Sequence, residues 1–245
     1  MSGLLQAVSF TAAREWDEGS CRSAVNTLVQ VPFARQYFTG GARGGDKFIG
    51  RWLYAHRSDA EHLVIVPARR SQVDPWWEPG RVVDHRKNAY DVLIDRSSIW
   101  GNPFLIGRDG GRDEVIAKYR AWLLKNPALM TRLPELAGLT LGCWCKPEPC
   151  HGDVLAELAT PVVTVIKMQP GTDYQARNAR LVAEATAVFG LPAYPEEDPR
   201  SERSGTWQTI RMARRADKLS MWACTQPPYA GQVERWPSQF PAVAL

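Results

Sequence analysis

The order of short apolar runs and helical segments at the start of the chain is the feature that most constrains its fold. Buried-strand patterns are found at Val8–Ala13, Gln36–Thr39 and His62–Val66. Between them, apolar side chains recur at helical spacing in Ser20–Val29 and again in Phe48–Leu53. Because successive parallel strands need a crossover connection, which is usually a helix, this order predicts an α/β fold with a doubly wound, Rossmann-like parallel sheet.

The last third of the chain repeats this alternation. Three runs predict strands and two predict helices, in the order Val162–Ile166, Tyr174–Glu184, Ala187–Pro192, Ser204–Ala216 and Leu219–Cys224, the last of the strands. The charged stretch Pro195–Arg203 predicts an irregular, mobile loop, and the proline-rich tail from Gln226 predicts a surface segment. We expect strands from both ends of the chain to share one sheet.

The middle of the chain has a pattern of its own. Ser71–Lys87 combines proline, glycine, tryptophan and charged residues, and predicts a linker or an ordered loop. Tyr90–Asp95 then predicts a strand, and Asp113 predicts the N-cap of a helix. Leu139–Cys143 predicts a further strand and Val154–Leu158 a helix. These elements predict a small α/β unit inserted into the larger fold.

Two junctions between a predicted strand and a predicted helix carry small residues. The first is Gly40-Gly41-Ala42-Arg43-Gly44-Gly45-Asp46, and the second is Ser204-Gly205-Thr206. Glycine lets the backbone approach an anion, and the free N–H groups at a helix start favour a phosphate. Arg43 would add a charged contact, and Asp46 would bond ribose hydroxyls or cap the helix. The alternatives are a turn without a ligand at the first junction and a plain N-cap by Ser204 at the second.

Three of the five cysteines lie with a histidine between positions 143 and 151, in Gly142-Cys143-Trp144-Cys145-Lys146-Pro147-Glu148-Pro149-Cys150-His151-Gly152-Asp153. A zinc site would use Cys143, Cys145, Cys150 and His151. Alternatively, Cys143 or Cys150 is a reactive thiolate stabilised by His151 and the helix start. In the third interpretation the thiols pack the strand end, while His151 and Asp153 cap the helix or bind ligand. The tight spacing of the cysteines favours this third interpretation, so no cofactor is required and zinc remains an alternative.

Composition limits the class of protein. The net charge of +4 suits an anionic small molecule, but it is too weak to predict nucleic-acid binding, and Arg211–Arg215 predicts a solvated helix face. No apolar run approaches the roughly 18 residues of a membrane span, and the N-terminus lacks a signal-peptide pattern. An odd number of cysteines without framework spacing predicts reduced thiols and a cytoplasmic location. A homo-oligomer remains open.

Several motifs together resemble the YspA-like branch of the SLOG superfamily, Rossmann-like proteins related to the LOG nucleotide phosphoribohydrolases and to the DNA-processing protein DprA. The residues that carry the resemblance are Phe10 to Asp17, Gly40 to Asp46, Val66-Pro67-Ala68, Gly171, Arg177-Asn178 and Ser204-Gly205-Thr206. In that family the Pro-Ala and Arg-Asn motifs lie close together. Here Ala68 and Arg177 lie far apart, which indicates an insertion between them.

The SLOG resemblance implies a nucleotide or nucleotide-derived ligand. Its phosphate would lie on Gly40, Gly41 and Gly44 and on Ser204 to Thr206, with Asn178 nearby and Arg14, Arg43 and Arg177 as anion contacts. LOG enzymes use a glutamate within a Gly-Thr-x-x-Glu motif, and in this chain that position holds Thr209. A catalytic carboxylate would therefore come from elsewhere, and the candidates are Glu15, Asp46, Asp153 and Glu184.

The inserted unit has a resemblance of its own. Arg96, Trp100 and Asn102 within Asp95–Phe104, together with the segment that holds Cys143, Cys150, His151 and Asp153, resemble an uncharacterised bacterial and phage domain family. The predicted domains are residues 1–70 and 161–245 for the SLOG-like core and 85–160 for the insert. The leading hypothesis is a nucleotide-processing enzyme acting at an N-glycosidic or ribose-phosphate bond. The alternative is a non-catalytic sensor or sequestering protein for a nucleotide or ADP-ribose-type signal.

Overall fold

The computed structural model describes residues 5–12, 18–29, 31, 33–41, 44–57, 59–66, 75–226, 229–230 and 233–236. The fold is α/β, as predicted. It divides into two compact units, the first formed by Met1–Asp74 with Val163–Leu245 and the second by Pro75–Val162. We call these the large unit and the small unit.

The strands within the described residues are β1 (Leu5–Ala12), β2 (Ala34–Gly40), β3 (Glu61–Val66), β4 (Arg81–Asp84), β5 (Val92–Leu93), β6 (Thr140–Cys143), β7 (Thr164–Lys167), β8 (Ala187–Leu191), β9 (Leu219–Ala223) and β10 (Val233–Trp236). The α-helices are α1 (Glu18–Leu28), α2 (Gly45–His56), α3 (Arg112–Leu124), α4 (Pro127–Arg132), α5 (His151–Leu158), α6 (Tyr174–Glu184) and α7 (Gly205–Arg215). Short 3-10 helices cover Leu133–Leu136 and Pro199–Ser201.

The large unit is built on a seven-stranded sheet in the order β10-β9-β8-β1-β2-β3-β7. β1 pairs in parallel with β2 on one side and with β8 on the other, so Val8 lies opposite both Tyr37 and Ala187. The other described pairs are also parallel, except that β10 runs antiparallel to β9. Strands from the two ends of the chain therefore share one Rossmann-like sheet, and that expectation is confirmed.

The central strand β1 is buried on both faces. On one face Phe10 packs against Tyr37 and Phe189, with ring centroids 6.1 and 5.5 Å apart. On the other face Phe38 and Leu181 belong to a second apolar cluster. Continuous burial of this kind is typical of a parallel sheet covered by helices on both sides. Polar groups able to meet a ligand are therefore expected at the ends of the strands.

The small unit contains a three-stranded parallel sheet in the order β4-β6-β5. Its core includes Ile94, Trp100, Tyr119, Leu123 and Leu155, all of them nearly inaccessible to solvent. The central strand β6 ends at Cys143, and α5 begins at His151. The cysteine-rich segment thus joins a central strand to a helix, as the sequence predicted.

Some sequence predictions for the small unit are wrong. The segment predicted as a loop, Ser71–Lys87, contains β4, which at four residues is too short to show an alternating pattern. Of the predicted strand Tyr90–Asp95, only Val92–Leu93 forms a strand, β5. The cap of α3 is Gly111 rather than Asp113, because the Glu114 carboxylate accepts the backbone N–H of Gly111 at 2.6 Å. The sequence prediction also missed α4.

In the large unit the differences lie toward the C-terminus. The strand predicted as the last, Leu219–Cys224, is followed by β10 on the edge of the sheet. The stretch predicted as an irregular loop, Pro195–Arg203, contains a 3-10 helix, and its Glu196 carboxylate accepts from Arg211 at 2.8 Å and Arg214 at 2.6 Å. Within the described residues, none of the helices combines the length and the apolar character that crossing a membrane requires.

Candidate metal centre and candidate ligand site

The small unit brings three thiols and an imidazole together between the end of β6 and the start of α5. The four ligand atoms of Cys143, Cys145, Cys150 and His151 all lie within 4.8 Å of one another. The Sγ atoms of Cys143 and Cys145 are 3.7 Å apart, and His151 Nδ1 lies 3.6 Å from Cys150 Sγ and 4.0 Å from Cys143 Sγ. This cluster can bind a metal ion. The interpretation in which the thiols only pack the strand end did not anticipate their convergence on one point.

The ring of His151 is held in one orientation. Its Nε2 lies 2.8 Å from the backbone oxygen of Ile94, to which it can only donate a proton. Nδ1 is therefore the nitrogen that faces the sulfur atoms, and in the neutral ring it carries the lone pair. The ring of Tyr119 packs edge-on against the imidazole, with centroids 5.0 Å apart.

The turn that carries the cluster is fixed by caps of α5. Cys150 is the N-cap residue, and its sulfur accepts the backbone N–H of Gly152 at 3.3 Å. The Asp153 carboxylate accepts the backbone N–H of Cys150 at 2.9 Å and forms an ion pair with Lys146 at 2.7 Å. Asp153 was a candidate catalytic carboxylate, but in this structure its two oxygens hold the turn. The sequence analysis left capping the helix or binding ligand open for Asp153, and the structure shows the cap.

The thiols of the cluster perturb one another's ionisation. Hydrogen bonds from Cys143, Cys150 and His151 hold the pKa of Cys145 far below its ordinary value, whereas bonds to Cys143 and Cys145, together with burial, raise the pKa of Cys150. Burial lowers the pKa of His151, but hydrogen bonds to Cys143 and Cys145 outweigh it and raise the pKa to about 9. The opposite directions for Cys145 and Cys150 are what closely spaced thiols produce when ionisation of one opposes ionisation of its neighbour.

A cavity of about 380 Å³ adjoins the cluster within the small unit. Cys143, Cys145 and His151 form part of its wall. The remaining wall includes three residues that the sequence analysis did not single out as site residues, namely Asp95, Arg112 and Trp144. Trp144 Nε1 donates to Asp95 at 3.0 Å. Asp95 is the first residue of the segment Asp95–Phe104 that carries the resemblance of the insert, and this position could have pointed to it.

The other motif residues of the small unit brace a loop. Arg96 donates to the backbone oxygens of Asn102 at 3.2 Å and Phe104 at 3.1 Å. Asn102 in turn donates to the Val115 backbone oxygen at 3.2 Å and accepts the Phe104 N–H at 2.9 Å. Trp100 is buried, and its carbonyl accepts the Tyr119 hydroxyl at 2.7 Å. These residues therefore shape the cavity wall, with Arg96 and Asn102 lining it directly.

In the large unit, a buried ion pair lies at the carboxyl edge of the sheet. Arg177, from the first turns of α6, donates to Asp46 in the first turn of α2 at 3.0 Å. The two side chains are 1% and 4% exposed. A Cβ atom at Gly40, the last residue of β2, would lie 2.1 Å from the Asp46 carboxylate and 2.2 Å from the Arg177 guanidinium. Glycine is required there because the ion pair fills the space of a side chain.

The start of α7 joins the same edge. Asn178 donates to the Gly205 carbonyl at 3.4 Å, and Ser204 caps α7 by accepting the Trp207 N–H. Thr206 is buried. Thr209, at the position of the LOG glutamate, is fully buried and donates its hydroxyl to Gly205 at 2.9 Å. The structure thus brings Gly40, Asp46, Arg177, Asn178 and Gly205 together, as the resemblance implied.

Other predicted site residues fall outside this group. Arg14, Glu15 and Arg43 lie outside the described residues. Glu184 is exposed and pairs with Arg180 at 2.5 Å in the last turn of α6, about 10 Å along the helix from Arg177. It is therefore wrongly placed to act at the strand edge.

Two further glycines of the first junction take different roles. Gly41 donates its N–H to the Ile65 carbonyl at 3.1 Å, so this group is occupied within the sheet edge. Gly44 is the N-cap of α2 and has a φ of 79°, in the left-handed region that favours glycine. A bulkier residue at Gly44 would therefore test folding as much as binding. Tyr174, which the sequence analysis did not select, stacks on Arg177 at 4.5 Å from its ring centroid.

The class of protein that emerges is an α/β protein with a Rossmann-like sheet and a second unit whose Cys3His cluster can bind metal. Residues 81–161, which contain the cluster, match the family described as "Domain of unknown function (DUF4326)". The chain belongs to this family.

Two viral proteins are similar to part of the chain. An "Uncharacterized 12.4 kDa protein in nrdA-td intergenic region" of Enterobacteria phage T4 is 37% identical over 83 residues, which cover 32% of this chain and 75% of the relative. "Uncharacterized protein R718" of Acanthamoeba polyphaga mimivirus is 36% identical over 69 residues, which cover 25% of this chain and 52% of the relative. The chain thus spans about half the length of the mimivirus protein. No solved structure matches the chain.

Proposed function

We propose that the large unit binds a nucleotide or nucleotide-derived phosphate at the carboxyl edge of its sheet. The observation that carries the proposal is the convergence of three helix starts. Asp46 and Arg177 link the first turns of α2 and α6, and Asn178 links α6 to Gly205 at the start of α7. Each helix start contributes the positive end of its dipole, which favours a phosphate.

The buried guanidinium adds a second argument. Nε and Nη1 of Arg177 have no hydrogen-bond partner among the described residues, and neither has the Oδ1 atom of Asn178. Unsatisfied polar groups at a strand edge are costly, and a ligand with phosphate and hydroxyl groups would satisfy them. The SLOG resemblance of the same residues supports a nucleotide as that ligand, and we propose membership of the large unit in that superfamily.

Binding without turnover is the form of this function that the geometry supports better. Hydrolysis at an N-glycosidic bond needs a carboxylate beside the sugar. Asp46 is engaged by Arg177, and Thr209 occupies the position of the LOG glutamate. A sensor or sequestering protein for a nucleotide or ADP-ribose-type signal needs no such group. The nucleotide-processing enzyme stays the second candidate, with Glu15 as the carboxylate that would make it active.

The experiment is a calorimetric titration of the full chain with nucleoside mono-, di- and triphosphates and ADP-ribose, followed by chromatography of each mixture. Binding with unchanged ligand supports the sensor, whereas a released base or sugar phosphate supports the enzyme. No binding by any of these compounds would contradict both.

Gly205→Ala locates the site with little risk to the fold. An added Cβ at Gly205 would meet Tyr174 at an ordinary 3.6 Å, so stability should hold while a methyl group occupies the approach to the helix start. We expect affinity to fall at least about tenfold, equivalent to about 1.4 kcal/mol. Arg215→Ala is the matched control, since it removes an exposed charge at the far end of the same helix. Equal effects of the two variants would mean that the ligand binds elsewhere.

A further inference from the structure

The small unit contains four metal-ligating side chains that converge on one point, and the cap that Cys150 provides for α5 accounts for only one of them. Cys143, Cys150 and His151 are buried, and Cys145 lies at the edge of the cavity. We infer that Cys143, Cys145, Cys150 and His151 together hold one Zn²⁺ ion in a closed, structural site.

The distances match those of a tetrahedral zinc centre. With Zn–S bonds near 2.3 Å and a Zn–N bond of roughly 2.0–2.1 Å, tetrahedral geometry places two sulfur ligands about 3.8 Å apart and a sulfur and a nitrogen about 3.5–3.6 Å apart. The observed separations are 3.7 Å between Cys143 and Cys145 and 3.6 Å between Cys150 and His151. The Cys143 to His151 separation of 4.0 Å is slightly longer. Small side-chain rotations would bring all four atoms onto one ion.

The orientation of His151 is what a zinc ligand requires. Metal-bound histidines almost always donate the other ring N–H to a carbonyl or carboxylate, which fixes the ring and raises its basicity. Here Ile94 supplies that carbonyl at 2.8 Å, and Nδ1 is left facing the three sulfur atoms. Packing alone does not need the imidazole to be fixed in this way.

The donor set suits zinc and disfavours the metal ions that prefer oxygen ligands. Three thiolates and an imidazole are soft or borderline ligands, so Mg²⁺ and Ca²⁺, which prefer oxygen, are disfavoured. Four protein ligands complete the tetrahedral shell and leave no position for water or substrate, which is the mark of a structural site. The ion would tie the end of β6 to the start of α5. It would also fix one wall of the adjoining cavity through Cys143, Cys145 and His151.

The first test is the metal content of the full chain purified under reducing conditions. Elemental analysis should give about one equivalent of zinc, and a strong chelator should lower the melting temperature by at least about 10 °C, because metal binding contributes to folding. Protein that holds no zinc, and takes up none when reduced chain is titrated with Zn²⁺, would overturn the inference.

Replacing zinc with Co²⁺ tests the ligand set and the closed shell independently of stability. We expect sulfur-to-cobalt charge-transfer absorption and the strong visible bands of tetrahedral cobalt, unchanged when azide is added. A spectrum without charge-transfer bands would rule out the thiolates as ligands. A spectrum that shifts with azide would show an open position and overturn the structural assignment.

Single substitutions identify the ligands. Cys143→Ser and Cys145→Ser should weaken zinc binding by more than the roughly 10- to 100-fold that loss of an outer-shell partner costs. Cys224→Ser is the matched control, because Cys224 is a buried cysteine of the large unit outside the cluster. If Cys143→Ser fails to fold, Cys145→Ser still tests the ligand assignment, since Cys145 is only partly buried. Full zinc occupancy and affinity in both cluster variants would refute the assignment.

Discussion

The two units of this protein assemble their candidate sites in opposite ways. In the small unit the four ligand residues lie between positions 143 and 151, so one turn brings them together. In the large unit Arg177 and Asp46 are 131 residues apart and meet only through the sheet and its helices. The residue types of a local cluster can be recognised together in the sequence, whereas the sequence shows only separate parts of a dispersed site.

The two sites also differ in how their charges are balanced. The large unit pairs one buried cation with one buried anion within the chain. The small unit gathers three thiols and one imidazole, and the thiols would become thiolates on binding a metal ion. The first arrangement should therefore depend on its internal partner, and the second on an ion from solution.

Arg177→Met gives the largest expected effect in the large unit. The change removes the guanidinium from a buried ion pair with Asp46, so the free energy of unfolding should fall by about 3–5 kcal/mol. Urea unfolding measures the loss. Arg180→Met, on the exposed face of the same helix, is the control, and it should cost less than about 1 kcal/mol. Adding Asp46→Leu to Arg177→Met should recover much of the stability. Equal losses in the free energy of unfolding for Arg177→Met and Arg180→Met would mean that the large unit does not depend on its buried ion pair.

Gly40→Ala sharpens the same comparison without altering a charge. The new methyl group would overlap both members of the ion pair, at 2.1 Å from Asp46 and 2.2 Å from Arg177. Overpacking of this kind typically costs about 1–3 kcal/mol in free energy of unfolding. Gly205→Ala, whose methyl meets only ordinary contacts, should be close to neutral by the same measurement. A neutral Gly40→Ala variant would mean that the pair readily moves apart.

Tyr119→Phe tests the small unit beside its cluster. It deletes the buried hydroxyl that donates to the Trp100 carbonyl at 2.7 Å, and should lower the free energy of unfolding by about 1–2 kcal/mol. The ring remains against His151, so zinc content should not change. Tyr90→Phe, at an exposed tyrosine of the same unit, serves as the control. A loss of zinc in Tyr119→Phe would show that the cluster depends on the hydroxyl rather than on its own turn.

The smallest expected effect is a change in acid stability from Asp198→Asn. Hydrogen bonds from the Arg200 side chain and backbone lower the pKa of Asp198 from 3.8 to about 2. Because the folded pKa is the lower one, the stabilisation is complete above about pH 4 and is lost as the pH falls toward 2. Asp198→Asn should flatten that part of the curve of stability against pH, whereas Glu197→Gln, at an exposed neighbour, should not. Identical curves for the two variants would contradict the role of Arg200.

Sequence patterns predicted the large unit better than the small one. Its strands carry long buried runs, and α6 matches its predicted bounds, because helices and central parallel strands of this length leave clear periodic signals. In the small unit β4 and β5 have four and two residues, too few to show any period. β4 and β5 form strands because they pair with β6, and their own sequences carry no clear strand pattern.

The candidate sites divide in the same way. The glycine junction and Ser204 could be singled out from small residues between a predicted strand and a predicted helix, and the Arg177-Asn178 pair from a resemblance to a known family. The convergence of the cysteine segment on one point could not be predicted from the sequence. The spacing of Cys143 and Cys145 and the adjacency of Cys150 and His151 are unlike an ordinary zinc knuckle. The sequence prediction therefore favoured packing over metal.

The sequence by itself determined the α/β class, the place of the insert and the residue types available for chemistry, because these depend on periodicity and composition along the chain. Only the tertiary structure decided what those residues do. It pairs Asp46 with Arg177, places Asp153 in the cap of α5, and brings three cysteines and a histidine into one cluster. The physical reason is that charge pairing and metal coordination depend on distances of a few ångströms, which are set by side-chain direction and by contacts between residues far apart in the chain.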